Sequence, residues 1–299
     1  MSLNRFPPPS RDSHRSLAER GDAAPLILDL GGWSYRFRGM DAILRRDLET
    51  RYEAFLAPDQ PEAFEVDVLD GKAEQFIPVP ESAARTAHPL SLFWEGPDLL
   101  LRSYGFTGWI SPGEGRGQIA LARGGFEKPV WCVENFLRAG LAWRALEEGG
   151  MLFHAASLIR RDLAFLFLGA SGSGKSTLAS IAREGRVVSD DLTLVRKMPE
   201  GYRVAGTPFR GTYAGGLPVK GLFPIAGVYR ILKAERERVD ECPAREALAI
   251  LLASCPFVVD HLATRPEILD RLGAFQASHP LAYLHFTLQG DFWSVLPPG

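Results

Sequence analysis

Along the first part of the chain, apolar and polar residues alternate with a period of two. PLILDLGGWSYRFRG (25–39), EAFEVDVLDG (62–71), SLFWEGPDLLLRSYG (91–105) and RGQIALARG (116–124) are short and cut by Gly and Pro turn signals, which predicts a β-rich region. The period then changes. PVWCVENFLRAGLAWRALEEGG (129–150) spaces its apolar residues for a helix and ends in two glycines, so it predicts an amphipathic connector stopping near Gly149. Beyond it, MLFHAASLIRR and LAFLFLGAS predict two strands joined by a tight polar turn at Arg161 and Asp162. GKSTLASIAREG predicts a helix closing at Gly185, and RVVSDDLTLVRK and YRVAG return to strand character. GVYRILKA follows as a strand, REALAILLAS and RPEILDRLGAF as helices, and LAYLHFTL and FWSVL as closing strands. The expected organisation is a poorly ordered arm (1–24), a β-rich N-terminal domain ending in the connector helix (25–149) and a mixed α/β domain (150–299), an α+β class overall.

Composition narrows the function classes. The 299 residues are 46% hydrophobic and 23% charged with a net charge of −2, which gives no general attraction to nucleic acid or to an anionic membrane. The longest apolar run, ending at Gly169, is far below the roughly 18 to 20 residues of a membrane helix, and the N-terminus has no apolar signal-peptide core. Cys132, Cys242 and Cys255 show neither a C-x-x-C pair nor metal-ligand spacing and are expected to be thiols of a reducing cytoplasm. Trp94 and Trp109 admit two readings, an aromatic peptide-binding surface or core packing.

One stretch carries chemistry. Residues 169–176, GASGSGKS, match G-x-x-x-x-G-K-[ST] at every fixed position, with an apolar strand before and a helix after. In such a loop the backbone N–H groups turn inward around phosphate oxygens and the helix start adds about half a positive charge. Gly169, Ser171, Gly172, Ser173, Gly174, Lys175, Ser176 and Thr177 are therefore the candidate residues for binding ATP. Lys175 would reach the outer phosphates and the Ser176 hydroxyl would ligate Mg²⁺. Asp190 and Asp191 follow fifteen and sixteen residues after the lysine, one helix and one short strand later. Asp190 is expected to be the general base for an attacking hydroxyl. Because neighbouring side chains on a strand point to opposite faces, only one of the pair is expected to face the nucleotide, and Asp191 is the candidate second metal ligand.

His154 on the strand before the loop, GASGSGKST, and VVSDD together resemble the kinase domain of HPr kinase/phosphorylase, a bacterial enzyme that phosphorylates a serine of a phosphocarrier protein. The resemblance spans about residues 150–290. It implies the fold shared with phosphoenolpyruvate carboxykinase, a P-loop set in a mainly β kinase core. It makes Asp190 the base for a serine hydroxyl, His154 a neighbour that orients or charges the site, and a homo-oligomer an expected assembly. The family's E-I-R-G segment corresponds here to Pro208-Phe209-Arg210-Gly211, so the arginine and glycine stay and the metal-holding glutamate does not. Arg210 is a candidate phosphate clamp. Neither the family's phosphorolysis loop nor its regulatory domain has a counterpart.

The expectation is an ATP- and Mg²⁺-dependent kinase acting on a hydroxyl, foremost a serine of a protein or of a ribosomally made peptide. A nucleotide-binding regulator that transfers nothing, and a kinase for a small metabolite, are the alternatives. A GTPase is not among them, because the only asparagines, Asn4 and Asn135, do not begin an N-K-x-D guanine-reading segment. Mg-GTP should therefore bind no more tightly than Mg-ATP in calorimetry, and a clear preference for GTP would overturn that reading.

Overall fold

The computed structural model describes every residue except 1–6, 82–88, 171, 183, 210, 212–214, 216–218, 264, 289 and 299. It contains two sheets and, among the described residues, five α-helices, a mixed architecture of the α+β kind. The chain divides into two units, Met1–Gly140 and Leu141–Gly299.

In the first unit the alternating segments form seven strands: β1 (Leu26–Leu30), β2 (Trp33–Arg38), β3 (Phe64–Asp70), β4 (Ser91–Glu95), β5 (Asp98–Arg102), β6 (Phe106–Ser111) and β7 (Arg116–Leu121). Their order in the sheet is β1-β2-β3-β7-β6-β5-β4, with β2–β3 and β3–β7 parallel and the other pairs antiparallel. A parallel pair needs a crossover, and between β2 and β3 the chain forms helix α1 (Ala42–Arg51), capped by the Asp41 side chain accepting the Leu44 N–H at 2.7 Å. The sequence reading has no helix here. Only Leu44 and Leu48 are buried, one turn apart, too thin a stripe to stand out among charged neighbours. Helix α2 (Pro129–Glu147) begins in this unit, and the division of the chain falls inside it. Phe136 of α2 lies on two strand glycines: a Cβ at Gly108 or Gly117 would stand 3.1 or 3.3 Å from its ring.

The arm expected to be poorly ordered is instead tied down from Pro7 onward. The Arg11 guanidinium lies 3.9 Å over the Trp109 ring and pairs with Asp98 and Glu114, His14 is buried, and the Gly21 N–H donates to Gly39 O at 2.8 Å. These are charge and backbone contacts, which leave no apolar period to read. Trp109 is a core residue, with its indole N–H donating to Gln118 Oε1 at 2.9 Å.

The second unit is built on β8 (Met151–Arg160) and β9 (Leu163–Leu168), a hairpin turned by Arg161 and Asp162, both at positive φ. The remaining strands are β10 (Arg186–Ser189), β11 (Leu192–Met198), β12 (Gly201–Ala205), β13 (Leu222–Lys233), β14 (Arg238–Glu241) and β15 (Leu281–Phe286). Two long strands organise them. β8 pairs along one stretch with β9 and along its other edge with β10 and then β11; β13 pairs with β12 and β15 as well as with β9. The pairings β8-β11-β12-β13-β9-β8 therefore close a circuit. Helix α3 (Lys175–Ile181), through Leu178, and the C-terminal segment, through Trp293, cover one face over Phe165, Phe167 and Ile231. By strand alternation Phe153 faces the other way, where it meets Phe275 of helix α5 (Glu267–Ser278) at 5.4 Å; helix α4 (Ala244–Ala253) packs beside α5.

Two local expectations are corrected. FWSVL is not a strand but a 3₁₀ turn, Phe292–Val295, started by the Asp291 carboxylate accepting the Trp293 N–H. Helix α3 stops at Ile181, short of Gly185, because the chain turns at Ala182; this sets Gly185 against Trp293, where a Cβ would stand 2.9 Å from the indole. No helix among the described residues is long and apolar enough to cross a membrane.

Candidate functional site

The loop follows directly from β9, and its first glycine is required by packing. A Cβ at Gly169 would lie 2.1 Å from Ser173 Oγ and 3.1 Å from Ile231. The Ser173 N–H donates to Ala170 O at 3.1 Å, and Gly174, at φ 104°, lets the chain swing into α3, whose first bond is Leu178 N–H to Gly174 O at 2.7 Å. Ser173 Oγ is buried without a hydrogen-bond partner among the described residues, a polar atom left for something in the loop. Ser171, also expected in this loop, lies outside the described residues.

Lys175 is only 7% exposed, and its ammonium donates to Gly169 O at 2.7 Å and Ala170 O at 3.2 Å. Burial lowers its pKa from the ordinary 10.5, with Asp191 and Asp190 pulling the other way and Arg230 adding to the fall. A buried cation held by neutral carbonyls is a poor structural device and a good anion receptor.

The two aspartates sit where strand pairing along β8 is interrupted. β10 and β11 both run antiparallel to the same edge of β8, in register Ser189↔Ser157 and then Leu192↔His154, and Asp190 and Asp191 form the bend between them. Ser189 fixes that bend. Its Oγ accepts the N–H groups of Asp191 (3.2 Å) and Leu192 (3.1 Å) and donates to Phe209 O (3.3 Å). Because the pair lies in a bend and not on a regular strand, the expectation that the two side chains face opposite ways fails: both line one cavity of about 480 Å³ together with His154, Lys175, Ser176 and Thr177.

Each carboxylate has its own partners. Asp190, 3% exposed, accepts the Gly211 N–H at 2.7 Å on one oxygen and the Ser176 hydroxyl at 3.3 Å on the other. Asp191 lies with Oδ1 3.1 Å from His154 Nδ1, and both side chains are partly exposed to the cavity. Gly211 must be glycine, since a Cβ there would come within 2.8 Å of Asp190 Oδ2 and 2.9 Å of Asp191 Cβ. Arg210 lies outside the described residues.

Among the described residues no three or more His, Cys, Asp or Glu side chains gather to hold a metal ion by themselves. The Ser176 hydroxyl and the adjacent carboxylates do fit Mg²⁺, a hard cation that commonly takes one or two protein oxygens and completes its shell with phosphates and water. Two contributors escaped the sequence reading. Lys233 lines the cavity although it stands fifty-eight residues after Lys175, and Ser189 looked like an ordinary strand residue. A larger groove of about 740 Å³, mostly apolar, lies between α4, α5, β14 and β15, with no phosphate-binding loop on it. No protein-family model matches the chain, and no curated protein shows significant similarity to it.

The lowered pKa of Lys175 makes anion binding pH-dependent with a definite sign. A bound phosphate raises the lysine pKa, so affinity is full while the free ammonium is protonated and falls as pH rises through its lowered free-state value. Titrating inorganic triphosphate by calorimetry from neutral pH towards 10.5 should show this decline in the wild type and a smaller one in Lys175→Arg, which stays charged. Identical pH profiles for the two proteins would contradict it.

Proposed function

We propose that the protein is an ATP- and Mg²⁺-dependent kinase that transfers the γ-phosphoryl group to a hydroxyl, foremost the serine of a protein or ribosomally made peptide. The observation that carries this reading is the convergence, on one cavity, of a phosphate-loop lysine and serine with two carboxylates and a histidine. A loop that only binds nucleotide needs the first set. Transfer to a hydroxyl also needs a group to take its proton. The likeness of His154, GASGSGKST and VVSDD to HPr kinase supports serine as the acceptor, and free thiols with a demand for ATP suit the cytoplasm.

In this reading the acceptor oxygen forms a bond to the γ-phosphorus while the bond from that phosphorus to the β-bridging oxygen breaks. The products are a phosphorylated acceptor and ADP, and the hydroxyl proton passes to a carboxylate. Mg²⁺, when bound, would neutralise charge on the outer phosphates. The hydrogen-bond pairs favour a division of labour opposite to the sequence expectation. Asp190, already accepting from Ser176 and Gly211, belongs with Ser176 on the metal side. Asp191, more open and set beside His154, is the better placed to accept the proton. Lys175 binds the outer phosphates.

A second reading, a regulator that binds nucleotide without transfer, draws on Pro208, which stands where the resemblance has a metal-holding glutamate. Kinetics and binding separate the two, with slow transfer to water standing in for the acceptor. Asp191→Asn should leave Mg-ATP affinity within a few fold and lower turnover by about a hundredfold or more, the usual worth of a positioned base. Asp190→Asn should instead weaken the Mg²⁺-dependent part of ATP binding by about tenfold or more. If Asp190→Asn binds Mg-ATP normally and loses turnover, the roles are the reverse; if neither change alters turnover, the kinase reading fails.

A further inference from the structure

Strand β13 runs parallel to β9, the strand that delivers the phosphate loop, in a register that sets Arg230 opposite Leu168. β9 ends there, so the last three residues of β13, Ile231 to Lys233, continue alongside the loop itself. In parallel sheets the carboxyl ends of the strands form the natural crevice for a ligand. Residues two apart on a strand share a face, and Ile231 and Lys233 do so here. Ile231 lies under the start of the loop, 3.1 Å from where a Gly169 Cβ would be, and Lys233 lies beside its end, with Cε 3.3 Å from where a Gly174 Cβ would be. Phe286, the register partner of Lys233 on β15, flanks the same glycine at 3.1 Å and fills the space behind.

Lys233 thus has an ammonium at the loop, an exposed stem, and no ion pair or hydrogen bond of its side chain among the described residues. Among the described lining residues Asp190 and Asp191 stand with Lys175 and Lys233, and a second cation adds to the attraction for a polyphosphate. The Lys175 ammonium sits on the carbonyls at the start of the loop, Gly169 and Ala170, and Lys233 lies beside its end at Gly174.

We propose that Lys233 is a second phosphate-binding cation, whose ammonium takes an oxygen of the polyphosphate tail that Lys175 and the loop backbone hold. The inference rests on the phosphate-loop reading given above and adds to it a contact that no part of the sequence motif contains. The ligand class it names is a polyphosphate chain that both lysines contact.

The test measures the affinities of Mg-ATP and of inorganic triphosphate for the wild type, Lys233→Met, Lys233→Arg and Lys175→Met, with thermal melting of each. Lys233→Met should melt like the wild type, since the side chain is exposed, and should bind both ligands about tenfold more weakly, the lower range for a lost charge-assisted contact. Lys233→Arg, which keeps the charge, should restore most of that loss for both ligands. Full affinity of Lys233→Met for both, while Lys175→Met loses both, would overturn the role of Lys233 and leave the phosphate loop standing. Weaker Mg-ATP with unchanged triphosphate would also overturn it, because the contact would then be to the nucleoside. A wild type that binds neither ligand would remove the phosphate-site reading and this inference with it.

Discussion

One serine hydroxyl holds the arrangement on which the site depends. Where the β10–β11 edge of β8 is interrupted, the N–H groups of Asp191 and Leu192 turn away from β8, and Ser189 Oγ accepts both while donating to Phe209 O. Without Ser189 the buried Leu192 N–H and the part-buried Asp191 N–H would lose their acceptor, at about 1 to 3 kcal/mol for a fully buried group. Regular strand would send one aspartate to each face of the sheet. The bend keeps both towards the loop, and tying Phe209 to it brings the following Gly211 N–H onto Asp190. The β8-β11-β12-β13-β9 circuit then fixes the distance between that bend and the loop, because both hang from the same long strand.

Two of the buried clusters of charge differ in a way that separates structure from function. In the first unit Glu134 is 1% exposed but is met by Arg51 and Arg138 at 2.5 Å each and by the Tyr52 hydroxyl at 3.1 Å. Two guanidiniums and a phenol donate to its carboxylate, and the phenol of Tyr52 is driven up by burial beside it. Such a cluster is a structural ion-pair network. In the second unit Lys175 is buried on carbonyls, Ser173 Oγ has no partner among the described residues, and the carboxylates share the cavity with a lysine they do not bond. That imbalance is a cost in the folded chain that an anion and its cation would repay.

How much of this could be read from residues alone follows from how local each feature is. The loop was legible because its glycines, lysine and serine are fixed by spacing, and α2 and β8 because long periodic stretches carry their own signal. Helix α1 was missed because two buried leucines make too little pattern, and FWSVL was read as a strand because its apolar composition hides the Asp291 cap. The pairing of Ser176 with Asp190 and of His154 with Asp191 depends on a bend whose geometry is set by a side chain and by strand register, neither of which spacing reveals. Lys233 arrives through a parallel pairing of strands far apart in the chain, the kind of contact that leaves no local trace.

Whether this cavity moves a phosphoryl group or only holds a nucleotide is a question of chemistry at an acceptor hydroxyl. The most direct measurement is mass spectrometry of candidate peptides and cell-extract proteins after incubation with the protein and Mg-ATP, alongside Lys175→Met as the control. A kinase should add one phosphate to a defined serine, present with the wild type and absent with the variant. Tight Mg-ATP binding with no phosphorylated acceptor in any sample would contradict the kinase reading.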